Sequence, residues 1–308
     1  MDPPLFRPPR DGLGAGGNPG PARGGGRHRP CLLPGPTSGG DAPPALPRLA
    51  DVRRGPQRRP LAAESPRRSV NARRPFLCIG HRGAAGHAPE NTLLSIRRAL
   101  ELGADWVEVD VHPLGGELVV IHDDTLDRTT NGSGALSDWT LDEVRRLDAG
   151  SGERVPLLPE VLDLLRGRAG LVVELKGRGA GALAAPLLRG ALRSGWERAD
   201  LTASSFHADE LRSLRSRAPE VPLAVLARSA DGPAMELARE VNAQALHLPL
   251  RGTLGEDLER ARSMGLPVLV FTVNLPEDIR TVYHMGAAGV FTDYPERVAE
   301  ALGGRLDL

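Results

Sequence analysis

Acidic side chains stand near the ends of two apolar segments in a pattern that suits a divalent cation. Glu108 and Asp110 lie two residues apart in the run 106–111, and Glu174 lies in the run 171–175. Side chains two apart on a β-strand leave the same face, so the first two carboxylates can converge on one point. One divalent cation, Mg²⁺ or Ca²⁺, would remove their repulsion, since hard ions prefer oxygen ligands. A single Glu-x-Asp is more often an ordinary polar strand face, but three acids on two strand ends favour a metal site.

Two histidines and two cations accompany these acids. His81 and His122 each follow an apolar run, and histidine can act as general acid, general base, nucleophile or metal ligand near neutral pH. Either histidine alone could be a hydrogen-bonded residue at a strand end, but beside the acids they suggest an acid and base pair. Arg82 and Lys176 add positive charge that suits a phosphate, with a solvated surface charge as the alternative.

Short apolar runs separated by helical stretches predict an α/β fold consistent with a closed βα barrel, in which the active site lies at the carboxyl ends of the strands. Gly115 and Gly116 favour a tight antiparallel hairpin, so one of the two strands that they join is expected to lie outside the barrel. Nine strands are predicted, at 76–80, 106–111, 118–122, 171–175, 201–205, 223–227, 245–248, 268–273 and 289–292.

Helices are expected between these strands. Apolar residues at helical spacing predict a helix over 92–102, capped by Asn91 and closed by Gly103. Similar patterns predict helices over 141–147, 208–217 and 276–284.

The N-terminal part of the chain has a different composition. Residues 1–74 are basic and rich in Pro and Gly, which predicts a disordered tail before a barrel domain at 75–308. An arginine-rich targeting peptide, an anion-binding arm or a true start near Val70 are the alternatives.

The whole-chain balance points to no nucleic-acid partner, because 39 basic and 39 acidic residues give a formal charge of zero. No apolar run is long enough for a membrane span or a signal peptide, so stable membrane insertion is not expected. Only two cysteines occur, Cys31 and Cys78, which argues against a disulfide framework. These features predict a cytoplasmic protein.

Seven short motifs follow one another along the chain. They are His81-Arg82-Gly83, Pro89-Glu90-Asn91-Thr92, Glu108-Val109-Asp110-Val111, the run His122-Asp123-Asp124-Thr125-Leu126-Asp127-Arg128-Thr129-Thr130, Glu174-Leu175-Lys176, Phe271-Thr272-Val273-Asn274 and Thr292-Asp293-Tyr294-Pro295. Together and in this order they resemble the glycerophosphodiester phosphodiesterase family. The resemblance covers roughly residues 76–301 and implies a TIM-type (β/α)8 barrel that hydrolyses small glycerophosphodiesters to sn-glycerol 3-phosphate and an alcohol.

The resemblance assigns roles to individual residues. It implies that Glu108, Asp110 and Glu174 hold the Mg²⁺ or Ca²⁺ ion. His81 and His122 would be the catalytic pair, one assisting attack at phosphorus and the other protonating the departing alkoxide.

Four further residues take roles from the same resemblance. Arg82 and Lys176 would neutralise charge on phosphate oxygens, and Glu90 would orient the residues that contact the substrate. Phe271 would form an aromatic wall where the family commonly has Trp. The turn between Asp110 and His122 is one residue shorter than usual but lies away from the chemistry.

Other activities remain open from the sequence. Related barrels cleave lysophospholipids or sphingomyelin on the headgroup side of the phosphate, as a lysophospholipase D or sphingomyelinase D does. The chain shows no basic amphipathic helix for lying on a membrane, which weighs against them. A non-catalytic phosphate-binding barrel is the less favoured alternative, because every expected acid and histidine is present. The sequence leaves the headgroup, the native metal and the oligomeric state open.

Overall fold

The computed structural model describes residues 76–253 and 255–303, in which strands and helices alternate. The predicted disordered tail, residues 1–74, lies outside the described residues. The strands are β1 Leu77–Gly80, β2 Trp106–Leu114, β3 Glu117–Val120, β4 Gly170–Leu175, β5 Leu201–Ser205, β6 Leu223–Leu226, β7 Ala245–Pro249, β8 Val268–Phe271 and β9 Gly289–Thr292. The α-helices are α1 Leu93–Glu101, α2 Leu141–Val144, α3 Leu158–Leu165, α4 Ala180–Arg193, α5 Ala208–Arg217, α6 Gly232–Glu240, α7 Gly255–Ser263, α8 Pro276–His284 and α9 Glu296–Ala301.

Eight of these strands form a closed parallel barrel. They are hydrogen-bonded in the order β1, β2, β4, β5, β6, β7, β8 and β9, and β9 pairs with β1. Alternate strand residues face opposite sides. On β1, Cys78 joins the large apolar core that includes helix residues such as Leu258, whereas the next residue, Ile79, belongs to a separate cluster with Phe291. Leu246 and Leu248 of β7 also join the large core. This alternation is typical of a sheet with helices on one face and a filled interior. The predicted (β/α)8 barrel is confirmed.

Among the described strands, the one that is not part of the barrel is β3, and this agrees with the predicted hairpin. It pairs antiparallel with the end of β2, in a register that joins Val111 to Val120. Gly115 and Gly116 turn the chain with φ angles of 58° and 86°, a left-handed conformation that favours glycine. Directly after β3, the backbone N–H of Ile121 donates to the carbonyl of Asp110 over 3.1 Å. The next residue, His122, is thereby held against the end of β2.

The predicted cap of α1 was wrong by one residue. Thr92 is the N-cap, and its side chain accepts a hydrogen bond from the backbone N–H of Ser95. Asn91 has a φ of 58°, and its amide nitrogen donates to Oδ2 of Asp110 over 2.9 Å. Its Oδ1, the atom that would cap the helix, instead accepts a hydrogen bond from the backbone N–H of Asp110 over 3.2 Å, so Asn91 does not cap α1.

The helix predicted over 141–147 was too long. The α-helix ends at Val144, because Arg146 and Leu147 donate to carbonyls three residues back rather than four. The helices predicted over 208–217 and 276–284 coincide with α5 and α8.

Candidate active site

Three carboxylates converge at the carboxyl ends of β2 and β4. Asp110 lies directly opposite Glu174 in the parallel register, and Glu108 lies two residues before Asp110 on the same face. One oxygen from each of these side chains lies within 4.8 Å of the others. Glu108 and Asp110 are almost fully buried, at 3% and 1% exposure. The predicted acidic residues therefore form one compact cluster.

Positive side chains nearby compensate the charge of this cluster only in part. Burial, followed by the charges of Asp110 and Glu174, raises the pKa of Glu108 well above its usual range. Burial and Asp110 also raise the pKa of Glu174. One oxygen of Glu108 accepts from the backbone N–H of Arg82 over 2.9 Å, while the other is buried with no hydrogen-bond partner among the described residues. Three clustered carboxylates and an unpaired buried oxygen fit a hard divalent cation.

His81 follows β1 and is held by residues that follow the last two strands of the barrel, β8 and β9. Its Nδ1 lies 2.8 Å from Oδ1 of Asp293, and the side-chain amide of Asn274 donates to Oδ2 of the same aspartate over 2.6 Å. Burial would raise the pKa of Asp293, but the hydrogen bonds and the neighbouring charges of His81 and Arg82 bring that pKa below its usual range. An ionised Asp293 fixes the orientation of the His81 ring, whose Nε2 is the nitrogen left for other partners.

His122 is also held by an aspartate at Nδ1. Its Nδ1 lies 2.5 Å from Oδ1 of Asp123, and its Nε2 lies 3.1 Å from Nζ of Lys176. Burial, with the positive charges of Arg82 and Lys176, lowers the pKa of His122 despite the attraction of Asp110 and Asp123. The imidazole is therefore mostly neutral at neutral pH.

The two positively charged side chains predicted for the site, Lys176 and Arg82, contact the acids directly. Lys176 places Nζ 2.9 Å from Glu174 and 3.7 Å from Asp110. Arg82 has a left-handed φ of 55°, and its guanidinium contacts Asp110 at 3.3 Å and Glu90 at 2.7 Å. Both side chains therefore lie close enough to the carboxylates to contact an anion that binds at the acidic cluster.

A cavity of about 260 Å³ joins these groups. Its charged side is formed by His81, Arg82, Glu108, His122, Glu174 and Lys176. The other side is largely apolar and aromatic, with Phe206, Phe271 and Phe291 among its residues. Phe271 lies between the other two rings, with centroids 6.1 Å from Phe206 and 6.4 Å from Phe291. Most of the residues predicted from the sequence thus line one cavity, and Asp110 lies beside it in the acidic cluster.

Glu90, the remaining predicted residue, lies behind this lining. It accepts hydrogen bonds from both Arg82 and Arg128, and Arg128 also pairs with Asp123 at 2.7 Å. Burial opposes it, but the hydrogen bonds from these two arginines lower the pKa of Glu90. Glu90 therefore connects the arginine of the cavity to the carboxylate that holds His122.

Several positioning residues were not assigned a role from the sequence. Asp123 and Asp293 hold the two histidines, Asn274 holds Asp293, and Arg128 joins Asp123 to Glu90. All four lie within the short motifs, so proximity in the sequence was the available signal. His247, which also lines the cavity, lies in no such motif, and its only signal was a polar residue inside an apolar strand.

The fold and the cavity together define a phosphodiester hydrolase built on a TIM-type barrel. The chain belongs to the glycerophosphoryl diester phosphodiesterase family, whose model matches residues 81–297. The family is that of enzymes acting on glycerophosphodiesters, which confirms the resemblance seen in the sequence motifs.

Relatives and solved structures agree with this assignment. A glycerophosphodiester phosphodiesterase of Caldanaerobacter subterraneus subsp. tengcongensis is 36% identical over 234 residues, which covers 71% of this chain and 95% of the relative. The structure of an Oleispira antarctica phosphodiesterase in complex with the product sn-glycerol-3-phosphate matches with a TM-score of 0.68 and 32% identity, covering 73% of this chain and 96% of that one. A glycerophosphodiester phosphodiesterase from Agrobacterium tumefaciens matches with a TM-score of 0.63 and 31% identity, covering 73% and 99% of the two chains.

Proposed function

We propose that this enzyme hydrolyses glycerophosphodiesters to sn-glycerol 3-phosphate and a free alcohol with one divalent cation, Mg²⁺ or Ca²⁺, held by Glu108, Asp110 and Glu174. The observation that carries the proposal is the convergence of these three carboxylates within 4.8 Å. The unpaired buried oxygen of Glu108 supports it. A bound cation would supply Lewis-acid polarisation of a phosphate oxygen.

His81 and His122 are the proposed catalytic pair. Nδ1 of each ring bonds an aspartate, so Nε2, which in His122 also accepts from Lys176, is the atom proposed to exchange a proton with the substrate. One histidine accepts the proton of the attacking oxygen, and the other donates a proton to the departing alkoxide. Both histidines line the cavity together with Glu108 and Glu174 of the acidic cluster.

The remaining residues are proposed to bind and orient the diester. Arg82 and Lys176 neutralise charge that develops on the phosphate oxygens, because both line the cavity beside the acids. Phe271 forms part of the aromatic wall against which one arm of the substrate packs. Glu90 supports this arrangement by fixing Arg82.

The proposed substrate is a small, water-soluble molecule such as glycerophosphocholine or glycerophosphoethanolamine. Among the described residues, no helix has both the length and the apolar character that crossing a bilayer requires. We further propose that the enzyme acts in the cytoplasm and needs no nucleic-acid partner. Activity is assigned to the barrel domain, residues 75–308, and a chain that begins at Val70 should retain it.

The test is release of sn-glycerol 3-phosphate from glycerophosphocholine and glycerophosphoethanolamine by the purified chain, with Mg²⁺, Ca²⁺ or EDTA. Release should require a cation and should be lost in His81→Ala. A matched control is His284→Ala, which removes an exposed histidine in the last turn of α8 and should leave the rate unchanged.

Two outcomes would contradict the proposal. Release of a lysophosphatidate from lysophospholipids, without cleavage of the soluble diesters, would indicate a lysophospholipase D. Absence of hydrolysis of every diester would favour a binding role.

A further inference from the structure

His247 is a buried histidine that none of the proposed catalytic steps uses. It lies in β7, opposite Leu226 of β6 and Leu269 of β8. Its neighbours Leu246 and Leu248 pack in the large apolar core shared with the helices. The His247 side chain therefore faces the barrel interior, where it lines the cavity. Its ring centroid lies 4.8 Å from that of Phe291. His247 therefore forms part of the deep, apolar side of the substrate cavity.

Both ring nitrogens of His247 are buried, and neither has a hydrogen-bond partner among the described residues. The whole residue is only 1% exposed. An unpaired buried polar group destabilises the fold, whereas leucine or phenylalanine at this position would cause no such loss. A polar residue that weakens the protein in the absence of substrate is explained if its partner is the substrate.

The protonation state of His247 restricts the chemistry of that partner. Burial lowers the pKa of His247 to about 3, so the ring is neutral at physiological pH. A neutral imidazole offers one N–H donor and one nitrogen acceptor. It suits an uncharged hydroxyl group, which both donates and accepts, better than it suits a phosphate or an ammonium group.

The position of His247 in the cavity selects one arm of the substrate. The groups suited to a phosphate lie on β2, on β4 and after β1, whereas His247 shares the opposite side with Leu226, Phe271 and Phe291. Phe291 is buried and Phe206 is 45% exposed, so this side has a closed end and an open edge. A short hydroxylated arm matches the closed end, and a headgroup of variable size matches the open edge.

We propose that His247 is a specificity-determining residue that hydrogen-bonds a hydroxyl of the glycerol arm. This inference rests on the proposed function, since it requires a glycerophosphodiester in the cavity. In this arrangement the phosphate lies against the charged groups, and the glycerol arm extends towards β7. Diesters whose short arm lacks a hydroxyl would leave His247 unpaired and would bind less well.

The experiment compares sn-glycerol 3-phosphate with ethyl phosphate, a monoester that keeps the phosphate but lacks both hydroxyls. Calorimetry would measure their binding to the full chain in the presence of the cation that supports activity. The unmodified protein should bind sn-glycerol 3-phosphate about 10- to 100-fold more tightly, as expected for a buried hydrogen bond. His247→Leu should remove most of this preference by weakening sn-glycerol 3-phosphate alone, and His247→Gln should restore part of it.

A control variant separates recognition from loosening of the barrel. Leu269→Val alters the strand beside His247 without changing polarity, and it should shift both affinities by the same factor. His247→Leu should also unfold at the same temperature as the unmodified protein or higher, because it removes two unpaired buried nitrogens.

Several results would overturn the inference. Equal weakening of both ligands by His247→Leu would give His247 a structural role only, and no effect on either would remove it from the binding site. Phosphocholine is titrated as a third ligand, and a loss of affinity confined to it in His247→Leu would place the headgroup, not glycerol, beside His247. Failure of the proposed function would appear separately, as the absence of sn-glycerol 3-phosphate release by the unmodified protein.

Discussion

Nζ of Lys176 lies 3.1 Å from Nε2 of His122, so one hydrogen bond joins two groups that both face the cavity. Burial would lower the pKa of Lys176, but Glu174 and Asp110 outweigh it and raise that pKa, which keeps the ammonium group protonated. Since a protonated lysine only donates, Nε2 of His122 is the acceptor, and the ring proton of neutral His122 is on Nδ1, bonded to Asp123. The tautomer of His122 is thus fixed from both sides.

Asp123→Asn should impair catalysis more than binding. The carboxylate accepts from both His122 and Arg128, whereas an asparagine must present an NH₂ group at one of these positions. We expect kcat to fall about 100-fold with little change in KM, because proton transfer by a correctly oriented histidine typically contributes a rate enhancement of at least this size. Steady-state kinetics on glycerophosphocholine would measure this, and a rise in KM with kcat unchanged would contradict the assigned role.

Arg128 should act on activity through two carboxylates at once. Its guanidinium bonds Glu90, which holds Arg82, and Asp123, which holds His122. Glu90 and Asp123 hold the pKa of Arg128 above its usual range, so it remains charged. Arg128→Ala should lower kcat/KM by about 10- to 100-fold, the usual effect of removing a residue that orients a metal or substrate ligand.

The chain offers a matched control for Arg128. Arg212 makes the same kind of contact with Glu240 and Asp209, on the surface of α5 and α6. The two arginine side chains are 47% and 48% exposed. Arg212→Ala should leave kcat/KM unchanged, and an equal decrease in both variants would show that the Arg128 effect is not specific to the site.

Glu108→Gln should change stability in opposite directions with and without cation. Because burial and the neighbouring acids raise the pKa of Glu108, ionisation costs stability as pH rises above the ordinary carboxyl range. The neutral variant should therefore have a higher Tm in EDTA at neutral pH.

The same variant should lose the stabilisation that the cation gives. In the unmodified protein, Mg²⁺ or Ca²⁺ at about 100 times its Kd should add about 3 kcal/mol to the free energy of unfolding. Thermal unfolding with and without cation measures both effects. Glu210→Gln is the control, since Glu210 is buried and bonds the backbone of Gly179 and Gly181. An undiminished cation effect in Glu108→Gln would contradict its role as a ligand.

The sequence predicted the strands well because each is a short apolar run between turn residues, and the hairpin because Gly115 and Gly116 favour its φ angles. It predicted the acidic cluster because side chains alternate along β2. Local patterns could not reveal that Asn91 bonds Asp110 and so leaves the cap of α1 to Thr92. They also could not single out His247, since its burial against Phe291 exists only once the barrel has closed.

The same histidine should make the free energy of unfolding depend on pH. Its pKa is about 3 in the folded chain and near the ordinary histidine value when unfolded, so between these values only the unfolded chain binds the proton. Acidification from about pH 7 to about pH 5 should then remove about 2 kcal/mol of stability through this residue. His247→Leu should lack this contribution, so its stability relative to the unmodified protein should increase as pH falls. Urea unfolding in EDTA at both pH values measures the difference, in which the other titrating groups cancel because both proteins share them. Parallel pH dependence in the two proteins would mean that His247 can be protonated in the folded state without loss of stability. The ring would then not be restricted to the neutral form in the cavity.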